Sequence, residues 1–393
     1  MTPADEPSIL VLNVGSSTIK FGFFPLGEAD AALLQGVFEY SGELRITDST
    51  GHTDDARLAI DRDSASAGLI EYLKDSSLFP SIKATGHRLV HGGSTLRHPV
   101  RIDAAVRALL EETIPFAPDH LPAELRAIDE ISRLFPSGVH VACFDTAFHA
   151  RMPRVARLFG LPRAISKSGV VRYGFHGLSY EYVADALRQR GELPARTVMA
   201  HLGNGASIAA VLNGVCIDTS MGMTPTGGLV MSTRSGDLDP GVMLYLLRSR
   251  GLSASELDQA INTQGGLLGV SGLSSDIRDL LAASTTDSSA EDAIAIFCYQ
   301  ASKFIGAYTA ALGGIDSLVF SGGIGERSPE IRARICERLG FLGIRIDAQL
   351  NATNQPVIST ARGIAVRIVE TKEEVMIARH VRAVLAKGLS TIE

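Results

Sequence analysis

Three glycine-rich turns and two arginines set among glycines are the parts of this sequence best suited to chemistry. The first turn, Asn13-Val-Gly-Ser-Ser-Thr-Ile-Lys20, is small and polar and ends in a lysine. Backbone N–H groups and hydroxyls in such a turn can approach phosphate oxygens closely. It has neither the GxxxxGK[ST] spacing of a Walker loop nor GxGxxG, so an ordinary hairpin turn stays open for it. His201-Leu202-Gly203-Asn204-Gly205 is the second turn, and Ser321-Gly-Gly323-Ile324-Gly325-Glu326-Arg327 is the third. A glycine-rich turn from a strand into a helix fits phosphate contact at the helix N-terminus. Each could also be plain loop architecture, but three in one chain weigh against that.

Arg88 lies in Gly86-His-Arg-Leu-Val90-His-Gly-Gly93, and Arg234 in Met231-Ser-Thr-Arg-Ser-Gly-Asp-Leu-Asp-Pro240. A guanidinium holds carboxylate or phosphoryl oxygens by two parallel hydrogen bonds. Two of them beside glycines are what a site for a carboxylate and a transferring phosphoryl group needs. Singly, each also reads as a surface ion pair. Asp145 stands at the carboxyl end of an expected strand, where α/β sites lie. His176 sits in Tyr173-Gly-Phe175-His-Gly177. The chain has ten histidines, so a structural role stays open for this one.

The elements that must carry these residues alternate between strand and helix, the pattern of an α/β protein. Strands are expected near Ser8–Asn13, Ile19–Phe24, Ile82–Thr85, Val139–Phe144, Thr197–His201, Ser207–Leu212, Leu318–Ser321 and Ile364–Ile368. Ser253-Ala-Ser-Glu256 and Thr371-Lys-Glu-Glu374 are capping boxes, and each predicts a helix start. Ser328-Pro329 predicts another. Apolar residues from Ile294 to Leu312 recur with helical period and predict a long buried helix. Gly51–Ser66 reads as surface, and Ala282–Ala290 as an exposed loop. Val14–Thr18 and Asn204–Ile208 resemble each other as strand, small turn, strand. A duplicated fold would produce that echo, and so would chance.

The chain has 393 residues, 45% hydrophobic and 20% charged, which suits two globular domains. A net charge of −6 argues against a nucleic-acid partner. The four cysteines form no CxxC pair, so neither zinc nor redox chemistry is suggested. No signal peptide or membrane span is visible, and the expected location is cytoplasmic.

Taken together, the segments from Asn13 to Arg379 resemble the acetokinase family, a branch of the acetate and sugar kinase, Hsp70 and actin superfamily. The resemblance implies two ribonuclease-H-like domains with the active site in the cleft between them. Residues 1–147 with a C-terminal helix of about 375–393 would form one domain, and 148–374 the other. It implies ATP + acetate ⇌ ADP + acetyl phosphate and a homodimer. Propionate or butyrate is the alternative acid. An ATP-switched binding protein of the actin or Hsp70 kind is the remote alternative, since it has no need of an acid pocket.

On the matching positions, Asn13 and Glu373 would face Mg²⁺, with Mn²⁺ as the other candidate ion, and Glu374 would fold back to the Thr371 N–H. Arg88 would hold the substrate carboxylate, with Val90, Phe175 and Pro225 around its methyl group. Asp145 would be the catalytic carboxylate, read here as orienting the site and supporting the metal, while His176 and Arg234 would stabilise the phosphoryl group in transfer. Lys20, His201–Gly205, Asp276-Ile277-Arg278 and Gly323–Arg327 would form the nucleotide site. Departures from the family pattern are Thr18 for serine, Asp119 for the leucine of APLHNP, Val171 for the first arginine of RRYGFHG, Arg327 for the asparagine of GIGEN and Lys372 for that of NEE. Asp119 is expected to cap the helix at Leu121–Leu134 and to point away from the acid.

Overall fold

The computed structural model describes residues 6–15, 18–58, 60 and 64–388. Ser16 and Ser17, in the first glycine turn, lie outside the described residues. The chain divides into two compact units. The first comprises Met1–Ala147, Gly177–Tyr182 and Lys372–Glu393, and the second Phe148–His176 and Val183–Thr371.

In the first unit the strands are β1 (Ser8–Val14), β2 (Thr18–Pro25), β3 (Leu34–Glu39), β4 (Glu43–Asp48), β5 (Thr53–Arg57), β6 (Ile82–Leu89), β7 (Val100–Arg101) and β8 (Val139–Phe144). They form one sheet in the order β5-β4-β3-β2-β1-β6-β8-β7. β1 pairs antiparallel with β2 and parallel with β6, and β6 pairs parallel with β8. Every residue of β1 is buried, because both faces of the sheet are covered. Ile9 and Val11 pack on helix Glu373–Ala386. Leu10, Leu12 and Val14 point the other way, onto helices Ala65–Leu73 and Leu121–Leu134.

The second unit has β9 (Arg196–Leu202), β10 (Ala206–Leu212), β11 (Val215–Thr219), β12 (Ser317–Ser321) and β13 (Ala365–Ile368), ordered β11-β10-β9-β12-β13. An antiparallel meander of three strands is again followed by two strands parallel to the first. This repeats β3-β2-β1-β6-β8, so the chain carries a duplicated ribonuclease-H-like, actin-like fold. The β1–β2 and β9–β10 hairpins occupy equivalent places in the two copies, which gives the sequence echo its physical reason.

The expected strands are present to within a few residues at their ends. Gly51–Ser66 is mostly exposed among its described residues, as expected, although Thr53–Arg57 forms the edge strand of the first sheet. Two local expectations need correction. Ala282–Ala290 is not one loop. Helix Ile277–Ala283 occupies its start, and Asp287 accepts the Ser289 N–H to open helix Ser288–Leu312. Asp119 does not cap helix Leu121–Leu134, which opens at His120 with no side-chain hydrogen bond. Asp119 is exposed. The Ser253 capping box forms with both of its hydrogen bonds. Among the described residues no helix is long and apolar enough to cross a membrane.

Candidate active site

In the first unit, four of the residues singled out from the sequence converge at the carboxyl ends of the parallel strands. Asn13 is near the end of β1, Arg88 near the end of β6, and Asp145 follows β8. Glu373 opens the helix that packs on β1 and β6. Lys20 lies directly opposite Asn13 in the β1–β2 ladder, on the same face and exposed. The Asn13 amide donates to Glu373 Oε2 at 3.0 Å and to Glu374 Oε1 at 2.9 Å. The capping box expected at Thr371 therefore does not form. Glu374 turns to Asn13 instead of its own backbone, so Asn13 holds both carboxylates on one patch.

Arg88 is held on three sides. Its Nε and Nη2 donate to Asp145 Oδ2 at 3.1 and 2.5 Å, and Nη1 donates to the Val14 carbonyl and to Glu124 Oε1, both at 3.1 Å. Burial pulls the guanidinium pKa down, but Asp145 and Glu124 outweigh it and hold it raised. Glu124 is 2% exposed, and its second oxygen accepts the Val90 N–H at 3.0 Å. Burial pushes Glu124 up to about 7, against the pull of Arg88 and the Val90 N–H. Val90 is buried beside this group.

In the second unit the glycine turns lie at the carboxyl ends of neighbouring parallel strands, since Ser321 of β12 pairs with His201 of β9. A methyl group on Gly203 would lie 3.8 Å from the Gly323 N. Gly322 has φ +74, and the Leu202 carbonyl would be 2.7 Å from any Cβ there, so only glycine fits. His176 also has a left-handed backbone, φ 61, at the start of helix Gly177–Gln189. Its Nδ1 is 2.9 Å from Ser207 Oγ, and its ring stacks on His201 with centroids 4.3 Å apart. Gly205 makes this cluster reachable. A Cβ there would lie 3.0 Å from His176 Nε2 and 3.6 Å from Arg234 Nη1. Arg234 donates to the carbonyl of Pro225 at 3.1 Å. Phe175 and Pro225 are buried. Behind Phe175, His149 Nε2 donates to its carbonyl at 2.9 Å, and burial pushes that imidazole down to about 4.

Other nucleotide-site candidates in this unit are engaged differently. Glu326 Oε1 accepts the N–H groups of Gly322 at 2.9 Å and Thr371 at 3.1 Å, so its carboxylate braces its own loop. Arg327 folds over Gly323, its Nη2 3.0 Å from where a Cβ would stand. Ile324 and Gly325 lie in the short helix Gly322–Arg327. The Asn204 carbonyl accepts the Ser232 N–H at 3.2 Å, which ties the second turn to the Arg234 loop. Asp276 caps helix Ile277–Ala283 and pairs with Arg278, whose side chain is 85% exposed. Ile277 is buried.

The family model of the acetokinase family matches residues 8–379. The chain belongs to the acetokinase family. An acetate kinase of Rhodopseudomonas palustris (strain TIE-1) is 42% identical over 388 residues, covering 95% of this chain and 97% of that one. Among solved structures, a propionate kinase from Francisella tularensis subsp. tularensis SCHU S4 superposes with TM-score 0.88 at 36% identity, covering 95% of this chain and 98% of that one. Porphyromonas gingivalis acetate kinase gives 0.85 at 39% identity, with 96% and 100% covered.

Sequence reasoning missed two buried charges in this chain. Glu124 falls on the apolar stripe Leu121, Leu125, Ile128 of its helix. Arg332 falls on the stripe Ile331, Ile335, Cys336. A charge on a buried stripe needs a partner, and that signal was available. Arg332 is fully buried and bonds only neutral acceptors: the Gly325 carbonyl, the Asn351 side chain and carbonyl, and the Asn354 side chain. It anchors the third glycine turn from below, and burial lowers its pKa to about 10.

Proposed function

We infer that this protein moves the γ-phosphoryl group of ATP to acetate and back, giving acetyl phosphate and ADP. The observation that carries this reading is the gathering of His176, His201 and Arg234 round Gly205, in a chain of the acetokinase family. An acetate oxygen forms the new bond to the γ-phosphorus as the bond to the β–γ bridging oxygen breaks, and that oxygen leaves on ADP. A carboxylate is already a nucleophile at neutral pH, so no side chain need remove a proton. What phosphoryl transfer asks of the protein is alignment and positive charge about the equatorial oxygens. Arg234 and His176 supply that charge and hydrogen bonding. Arg88 holds the acid, and Asp145 fixes the guanidinium by two bonds to one oxygen. Val90, Phe175 and Pro225 are the apolar residues for the methyl group. Lys20, His201–Gly205, Asp276–Arg278 and Gly323–Arg327 serve the nucleotide.

Asn13, Glu373 and Glu374 form a set of hard oxygen donors on one patch, the kind Mg²⁺ takes when it keeps several waters, and Mn²⁺ suits the same set. Bound there, the ion would neutralise charge on the nucleotide phosphates. The homodimer reading is supported by helix Pro240–Ser249. It has no buried residue and exposes Val242, Leu244 and Tyr245. The four buried free thiols suit a reducing cytoplasm.

The test is a panel of C2–C4 acids with ATP and Mg²⁺, trapping the acyl phosphate with hydroxylamine. Acetate should give product, with propionate weaker and butyrate poor. Likeness to the Francisella propionate kinase supports a second reading, with propionate as the main acid. One methylene is worth about 1–3 kcal/mol, enough for the panel to separate the two. No acyl phosphate from any acid would overturn the whole reading, and butyrate above acetate in kcat/KM would overturn the choice of acid.

A further inference from the structure

We propose that Glu124 is a positioning residue that competes with the substrate acid for Arg88, so that capture of the acid is coupled to Glu124 taking up a proton. This rests on the reading that Arg88 holds the acid.

The argument is a count of donors. A guanidinium has five N–H bonds. Four of those on Arg88 are engaged: two with Asp145, one with the Val14 carbonyl and one with Glu124. A single Nη2 hydrogen lies outside these bonds. A carboxylate gripped by two parallel N–H bonds needs two. One existing partner must therefore give way. The Val14 carbonyl is fixed in the β1 backbone, and Asp145 holds two bonds from one oxygen. Glu124 holds one bond and has a second anchor, the Val90 N–H, which keeps its side chain in place when Arg88 is released.

Charge points the same way. One guanidinium is bonded to two carboxylates here and also feels Glu373, and an ionised substrate would add a further negative charge in a buried group. Adding a proton to Glu124 removes one of them. Burial brings Glu124 to about 7, so the proton is available near neutral pH. The charged groups facing Glu124 are Arg88 on β6 and Asp145 after β8. Of the other elements packed on its helix, β1 has no titratable residue, the acid of helix Ala65–Leu73, Glu71, is exposed and paired with Lys74, and Arg107 of helix Ala104–Glu112 bonds Asp129.

The acid is supplied fully ionised above pH 6, so the proton comes from solvent and can be counted. In weakly buffered solution with a pH indicator, the Mg²⁺- and nucleotide-loaded enzyme should take up as much as one proton per site when saturated with acetate near pH 7.5. The acetate KM should rise at least fivefold from pH 6 to pH 8, with kcat moving less. In Glu124→Gln, which keeps the side-chain length without the charge, the uptake should vanish and KM should no longer depend on pH. Circular dichroism reports whether that variant folds, and uptake by the unmodified enzyme stands without it. Arg88→Ala separates the two ideas. Should it leave the acetate KM unchanged, the acid site is elsewhere and the underlying reading falls. Should it abolish acid capture while the unmodified enzyme shows no proton uptake and a flat KM, only the role of Glu124 falls.

Discussion

Replacing Glu124 by glutamine should flatten the dependence of stability on pH. The folded chain holds the Glu124 carboxyl at about 7, above its ordinary 4.5, chiefly through burial. Between those values the folded state keeps a proton that the unfolded state has released. Stability is therefore lost as pH rises through this window and levels off above it. A rise of about two and a half units, at about 1.4 kcal/mol per unit, amounts to roughly 3 kcal/mol in all. About 2.5 kcal/mol of that falls between pH 5 and pH 8. Glutamine does not titrate, so the gap in stability between variant and unmodified chain should move by this amount in the variant's favour over the same range. Any constant cost of replacing one carboxylate oxygen by an amide cancels in that difference. Urea unfolding at four pH values measures it. A gap that stays constant within about 0.5 kcal/mol would refute the reasoning, because it would mean that Glu124 is fully ionised in the folded chain across the range.

Arg234→Ala should cost on the order of 10²–10⁴ in kcat with a smaller change in the KM for ATP, since its contact strengthens as charge spreads in transfer. Steady-state kinetics would reassign it to nucleotide affinity if kcat held and only KM rose. Gly205→Ala sets a methyl 3.0 Å from His176 Nε2. Moving that ring by a few tenths of an ångström should lower kcat by about tenfold with the melting temperature nearly unchanged. A variant with full activity would place His176 outside the transfer. Asp119 is exposed, so Asp119→Asn should leave the acetate KM within about threefold. A tenfold fall in KM would instead put its charge beside the acid.

How much was legible follows the distance between interacting residues. Strand positions, the Ser253 cap and the long helix Ser288–Leu312 were readable because each depends on neighbours in sequence. The glycine turns were readable because a missing side chain is itself a local signal. Their arrangement in space was not. That Gly203 meets Gly323 depends on β9 lying beside β12, and that Gly205 clears room for both His176 and Arg234 depends on two segments each more than 25 residues away.

The failed capping box at Thr371 shows the limit most clearly. Its residues match the pattern, and in isolation Glu374 would turn back to the helix start. In the folded chain Asn13, 361 residues away, takes the carboxylate, and Glu326 takes the Thr371 N–H. Sequence by itself determined the family, the order of strands along the chain and which residue types could hold phosphate and carboxylate. Tertiary structure alone decided that Arg88 is shared between Asp145 and Glu124, and that a buried carboxylate sits beneath it. The physical reason is that a charge is settled by whatever the fold sets within a few ångströms of it, and those neighbours come from strands and helices far apart in the chain.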